Sequence, residues 1–169
     1  MKSEIQVPTG LTTEGLLGRR YFARLLDSIA IVAVLAVVGV VWSTVVSARA
    51  GVAPNLIFIL LLCVSWIAYG TILEASKAQA TLGKRLLGLR VYNSQGGRLS
   101  ITQAAGRNLL KDGPFLLLGL IPGSQLLALG WLVVHLIVIH RSPVNQAIHD
   151  RVAHTWVASP EETIQLRIV

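Results

Sequence analysis

A chain of 169 residues has room for about one domain. Hydrophobic residues make up 53% of it and charged residues only 14%, well below the quarter typical of soluble domains, which excludes an ordinary soluble fold. The net charge is +7, but the bases flank apolar runs without aromatic–basic interleaving, so they point to anionic phospholipid headgroups and not to nucleic acid.

Residues 1–18 are polar, contain Gly, Pro and Thr, and show no apolar periodicity; they read as a flexible N-terminal tail. From Ile29 to Val46 runs IAIVAVLAVVGVVWSTVV, uncharged and long enough to span hydrocarbon. Counting back to Tyr21 lengthens it, so a tilted helix is expected. Arg19-Arg20-Tyr21-Phe22 resembles a twin-arginine signal, and Ala48-Arg49-Ala50 has the form of a cleavage site. The apolar core is longer than a signal peptide needs and Asp27 stands before it, so a retained span is the better reading. Gly51 and Pro54 break the chain before a second span, Leu56–Leu73, where Cys63 is the single cysteine. No intrachain disulfide or cysteine-based metal cluster can then form.

Residues 74–113 are strongly basic, with Lys77, Lys84, Arg85, Arg90, Arg98, Arg107 and Lys111 against Glu74 and Asp112. TLGKRLLGLRVYN reads as an amphipathic interfacial segment. Its tail reads as a small β-hairpin, with Val91 and Tyr92, a Gly96-Gly97 turn, then Leu99–Ile101. A helix can restart at Ser100 or Thr102, with Ser100 as cap. The last apolar stretch, Pro114–Ile139, is interrupted at Pro122-Gly123-Ser124-Gln125. Two short helices, about 105–121 and 125–140, are expected to form a hairpin; the alternative is one long third span. The basic segment and the N-terminus should be cytoplasmic by the positive-inside bias.

Arg20, Arg24 and Asp27 fall at i, i+4 and i+7, on one helix face. Arg24 and Asp27 are spaced to pair. A carboxylate inside a span costs about 2.5–3.5 kcal/mol at mid-depth, which calls for a partner and suggests a function. The plainer reading is a structural ion pair, with both arginines snorkelling to phosphates. A second cluster, His149-Asp150-Arg151 and His154, follows the last apolar stretch; its plain reading is a solvated turn with Asp150 as cap. Leu82-Gly83-Lys84-Arg85 lacks the upstream glycine and the Ser or Thr of a phosphate loop. The histidines recur at fives, not at the fours of helical metal ligands, so no metal site is expected. His135 reads as a packed or pore-facing residue. No nucleophile–base set is visible, so neither an enzyme nor a cofactor is expected.

Taken together these residues resemble the RDD family of small bacterial membrane proteins. The first signature resembles Arg20-x-x-Ala23-x-x-x-Asp27. The second resembles Thr81-x-Gly83-Lys84-x-x-x-Gly88-Leu89-Arg90-Val91, followed by a Gly turn and Arg107. The third resembles His149-Asp150-Arg151-x-Ala153-x-Thr155-x-Val157. The likeness covers residues 19–158, leaving 1–18 and 159–169 as tails, and departs at His154, where the family more often has Gly. It implies an all-α membrane fold of about four transmembrane helices, the last two short and hairpin-like. It also implies the bacterial cytoplasmic membrane, and gives weight to Arg20, Asp27 and Asp150. If these three share a site, the C-terminus is cytoplasmic.

Two functions then compete. One is transport of a small ion or solute, with proton-coupled cation exchange at Asp27, Arg20 or Arg24 as countercharge, and Asp150 as a second carboxylate. Four short helices are few to enclose a pathway, so a homo-oligomer or a membrane partner is expected. The other is a non-transporting scaffold or accessory subunit whose ion pairs are structural.

Overall fold

The structure, a computed structural model, describes residues 7–45, 52–121 and 123–160. The elements in chain order are β1 (Leu11–Thr12), α1 (Leu17–Val45), α2 (Val52–Ala75), α3 (Leu82–Leu86), β2 (Arg90–Asn93), α4 (Ile101–Leu120), α5 (Gln125–His140), α6 (Ile148–Val152) and β3 (Thr155–Pro160).

Two of these helices are apolar and long enough to cross a membrane, over Leu17–Thr44 and Leu56–Ala75. At 29 residues, α1 extends roughly 43 Å at the α-helical rise, more than a hydrocarbon core. Apolar side chains point outward along these helices and along α5, with Val37 65% and Leu126 79% exposed. Such surfaces need lipid or protein cover. α1 and α2 run antiparallel: Trp42 stacks on Phe58 at one end, and Tyr69 donates a hydrogen bond to Asp27 near the other. α4 and α5 form a second antiparallel hairpin, in which the Ser124 hydroxyl donates to the carbonyl of Leu118 and the Trp131 indole to that of Lys111. The chain turns between them through Gly123, at φ +83°, a left-handed conformation that costs glycine little. The interrupted stretch is therefore two short helices, as its turn residues indicate. The 48–50 cleavage-like triplet and Pro122 lie outside the described residues.

α4 begins at Ile101 with Ser100 as its cap, as expected, and runs on without a break into the helix anticipated at 105–121. Ser100 and Gln103 close a reciprocal capping box: the Gln103 amide donates to the Ser100 hydroxyl at 3.1 Å, and the Ser100 amide to the Gln103 side chain at 3.2 Å. Arg107, Lys111 and Asp112 accordingly lie within a helix, not in a loop. α4 is amphipathic in reverse. Ala104, Arg107, Asn108 and Asp112 face inward and are buried, while Leu109 and Leu117 face out.

The predicted hairpin at 90–101 does not form. β2 pairs instead with β3, and β1 pairs with the other edge of β3, giving an antiparallel sheet of order β1-β3-β2. The Asn93–Gly97 turn is present, with Asn93 donating to the Gly97 carbonyl at 3.0 Å. Its far arm runs directly into the α4 cap, leaving too few extended residues for a ladder. Each sheet face has a core. Val91 and Val157, cross-strand partners, pack with Leu16, Leu89 and Leu99. Tyr92 and Trp156, the next pair, pack with Ala158. The reading of 1–18 as a flexible tail is corrected here: Leu11–Thr12 is a strand and Leu16 is almost fully buried. Likewise β3 extends to Pro160, two residues into the predicted C-terminal tail. Residues 161–169 lie outside the described residues.

At the turn after α6, His154 adopts the left-handed conformation (φ +51°), so a side chain with a Cβ is held where glycine would cost less. His154→Gly should stabilise the fold by about 1 kcal/mol, seen as a higher thermal midpoint in detergent micelles.

Candidate functional site

The charged residues of the three sequence blocks converge just below the helical hairpins, where the sheet closes the bundle. Arg20 on α1 donates to Asp150 Oδ2 at 2.5 Å and to the Asn145 carbonyl. Arg107 on α4 donates through Nε and Nη2 to Asp150 Oδ1 at 3.0 and 2.7 Å, and through Nη1 to Glu74 Oε2 at 2.5 Å. Glu74, at the end of α2, also takes Lys84 from α3 and the Asn108 side-chain amide at 2.9 Å. One ladder, Lys84–Glu74–Arg107–Asp150–Arg20, thus ties α3, α2, α4, α6 and α1 together. Arg107, Glu74 and Asp150 are all buried. In that environment each charge requires the next, because an unpaired buried ion is costly.

Burial alone would raise the Asp150 carboxyl, but Arg20 and Arg107 hold it well below the usual carboxylate range. Burial pushes the Lys84 ammonium down to about 7, against the pull of Glu74. His149 is held well below the ordinary histidine range, first by burial and then by Arg107, Lys111 and Arg20, against the attraction of Asp150. The solvated turn expected around His149 and Asp150 is in fact interior. Asp150 also accepts the Ala147 amide at 3.2 Å, so it does serve α6 as a cap, but from inside the protein.

The expected Arg24–Asp27 pair does not form. Arg24 reaches across to Asp112 on α4, which also meets Lys111 at 3.3 Å, and its guanidinium lies 5.6 Å above the Trp66 ring. Asp27 receives three neutral donors instead: the Thr81 hydroxyl at 2.5 Å, the Gly83 amide at 2.7 Å and the Tyr69 hydroxyl at 2.9 Å. It clamps the start of α3 against α1. Spacing suggested the pair because three residues along a helix bring side chains together; the donors on α3 and α2 compete better for a buried carboxylate.

This geometry accounts for the second block residue by residue. Thr81 precedes α3 and binds Asp27. A Cβ on Gly83 would collide with the Ala23 carbonyl, so α3 docks on α1 only with glycine there. Lys84 reaches Glu74. Gly88, at φ +70°, ends the helix as the Leu89 amide returns to the Lys84 carbonyl at 2.8 Å. Arg90 is exposed on the edge strand and Arg151 is exposed on α6; neither reaches the ladder. Four contributors were not singled out from sequence: Glu74, Asn108, Asp112 and Tyr69. The signal for two, Asn108 and Asp112, lay in α4, where 107, 108, 111 and 112 share one helical face.

Above the ladder lies a cavity of about 480 Å³ bounded by α1, α2, α4 and α5. Its polar end holds Arg20, Arg24, Lys84 and Asp112, and its opposite walls are apolar, with Ile31, Phe115 and Leu132. His135 on α5 also lines it and meets His149, Nε2 to Nδ1 at 3.0 Å. Among the described residues, no group of three or more His, Cys, Asp or Glu side chains is arranged to hold a metal.

The uncharacterized protein YxaI of Bacillus subtilis (strain 168) is 49% identical to this chain over 49 residues, 29% of this chain. That alignment spans about a third of the relative's own length (32%). No solved structure matches the chain. The profile of the RDD family matches residues 15–154, from the end of the β1 turn to the left-handed His154, so it takes in every residue of the ladder and of the Asp27 clamp; with these apolar helices, the chain is a membrane-associated protein that belongs to the RDD family.

Proposed function

We propose that this protein carries a small ion or polar solute across the bacterial cytoplasmic membrane, with proton coupling, through the cavity between its two helical hairpins. The observation that carries this reading is the cavity itself: about 480 Å³ at helical depth, ionisable at one end and apolar along its walls. Asp27 is not the exchanging group in this reading, because three donors saturate it. The half-exposed Arg24, with Asp112, meets the solute.

The sheet supports a four-crossing topology. β1, β2 and β3 join in one sheet, so in this reading their segments share a side, and the chain crosses an even number of times between them. Each hairpin then crosses twice, and the bases of 77–98 favour a cytoplasmic sheet. On α3, Leu82 and Leu86 point outward beside Arg85, which suits a short helix resting among anionic headgroups. A four-helix unit leaves the cavity partly open at its flank, so a second copy or another membrane protein completes it.

Reconstituted liposomes loaded with a pH-sensitive dye test this. Imposed Na⁺ or K⁺ gradients should drive proton movement above that of protein-free vesicles, and Arg24→Gln should lower it while the protein stays folded. No dye response with either cation, and none when chloride is the imposed ion, would remove the transport reading. A second reading, a non-transporting accessory subunit, is favoured by the near-complete mutual pairing of the buried charges. Silent liposomes together with a stably co-purifying membrane partner would establish it.

A further inference from the structure

The cavity histidine and the buried one behind it form a line that ends on the ladder. His135 Nδ1 faces the carbonyl of Trp131 at 3.3 Å. His135 Nε2 meets His149 Nδ1 at 3.0 Å, and His149 Nε2 faces Asp150 Oδ1 at 3.5 Å. Four ring nitrogens thus stand between two oxygens that can only accept. With both rings neutral, two protons serve these four nitrogens, one per ring. If they point toward Asp150, the bare Nδ1 of His135 is aimed at the Trp131 carbonyl. If they point toward Trp131, the bare Nε2 of His149 is aimed at the Asp150 carboxylate. If both sit on the outer nitrogens, the bare Nε2 of His135 and Nδ1 of His149 face each other at 3.0 Å. Every one of these arrangements sets a lone pair against an oxygen or against another lone pair. A third proton removes the conflict: His135 donates at both nitrogens, and His149 accepts at Nδ1 and donates from Nε2.

We propose that His135 and His149 together form a binding site for one proton, taken up from the cavity onto His135, with His149 as the neutral relay to Asp150. The surrounding charges are mixed. From α1 come Arg20 and Arg24, from α2 Glu74, from α3 Lys84. From α4 come Arg107, Lys111 and Asp112, and from α6 Asp150 itself. The carboxylates nearest the pair, Asp112 and Asp150, favour an added proton, and Arg107, Lys111, Arg20 and Arg24 oppose it. The hydrogen-bond frame calls for a third proton, and it is equally satisfied whichever ring carries the shared one. Burial decides, because His149 is buried and His135 only partly so, which leaves the charge on His135. His149 stays neutral beneath it, in keeping with its burial. The site rests on the transport reading only for its purpose, as the seat of the coupling proton; its existence does not depend on that reading.

The test uses the full chain in phospholipid nanodiscs with histidines labelled in carbon-13 and nitrogen-15, whose spectra report tautomer and charge ring by ring. Wild type should show His149 fixed as the Nε2–H neutral tautomer from pH 5 to 8 while His135 gains the proton. In His149→Gln the apparent pKa of His135 should fall by about one pH unit, a roughly tenfold loss of proton affinity. A charged His149, or a His135 that titrates alike with and without His149, overturns the proposal, and the wild-type spectra decide this even if the variant does not fold. Proton flux in liposomes separates the two ideas. A coupled titration without flux keeps the site and removes transport; flux undiminished in His135→Gln keeps transport and overturns the site as the seat of the coupling proton.

Discussion

Replacing Arg107 with alanine should lower stability by about 3–5 kcal/mol, the cost of stranding buried charge. Its guanidinium serves two carboxylates at once, Glu74 and Asp150, and neither is within reach of water. Arg107→Lys should recover only part of the loss, because one ammonium cannot span both acids with the geometry of the fork. Arg90→Ala is the matched control: it is another arginine of the same sequence blocks, but exposed on an edge strand, and should cost no more than about 0.5 kcal/mol. Thermal or SDS-induced unfolding in mild detergent would measure all three. Equal midpoints for the Arg107 and Arg90 alanine variants would show that the ladder does not hold the helices together.

Asp27 should separate a titrating role from an anchoring one. Asp27→Ala leaves the Thr81, Gly83 and Tyr69 donors without their acceptor, and should cost about 3 kcal/mol or more. Asp27→Asn should cost only about 1 kcal/mol. Its carbonyl can still accept from Gly83 and Tyr69, which share Oδ1, while its amide donates to the Thr81 hydroxyl. Proton flux in the asparagine variant should then fall only as far as folded protein falls. An Asp27→Asn protein that unfolds like wild type but moves no protons would return the exchange role to Asp27.

Much of this arrangement was legible in the sequence, for reasons tied to particular residues. The apolar runs marked α1 and α2, the Pro122–Gln125 interruption divided α4 from α5, and Ser100 three residues before Gln103 marked a cap. The family likeness gave weight to Arg20, Asp27 and Asp150 together; Arg20 and Asp150 form a buried pair, while Asp27 is held by Thr81, Gly83 and Tyr69. Local spacing failed where long-range donors compete. Arg24 and Asp27 stand three residues apart, yet each prefers a group from another helix. The predicted hairpin failed for a similar cause: Val91 and Tyr92 were recognised as strand residues, but their partners, Val157 and Trp156, lie more than 60 residues further along the chain. No local pattern announces such a pairing. Glu74 and Asp112 were treated as minor counterions in a basic stretch, because a helix with its polar face turned inward reads as a loop when judged by soluble-protein patterning.

The middle strand of the sheet is the last to be made. β1 and β2 leave the ribosome well before β3, and neither can pair with the other across the gap that β3 fills. The same delay applies to Asp150, so Arg20 is synthesised before its carboxylate exists, and Arg107 at first has only Glu74 of its two acids. At roughly 5–20 residues per second that interval lasts seconds, during which Arg20 depends on lipid headgroups or other protein for a counterion. Completion of α6 and β3 is therefore the event that locks the structure. A nascent chain halted before residue 150 carries both hairpins and no clasp.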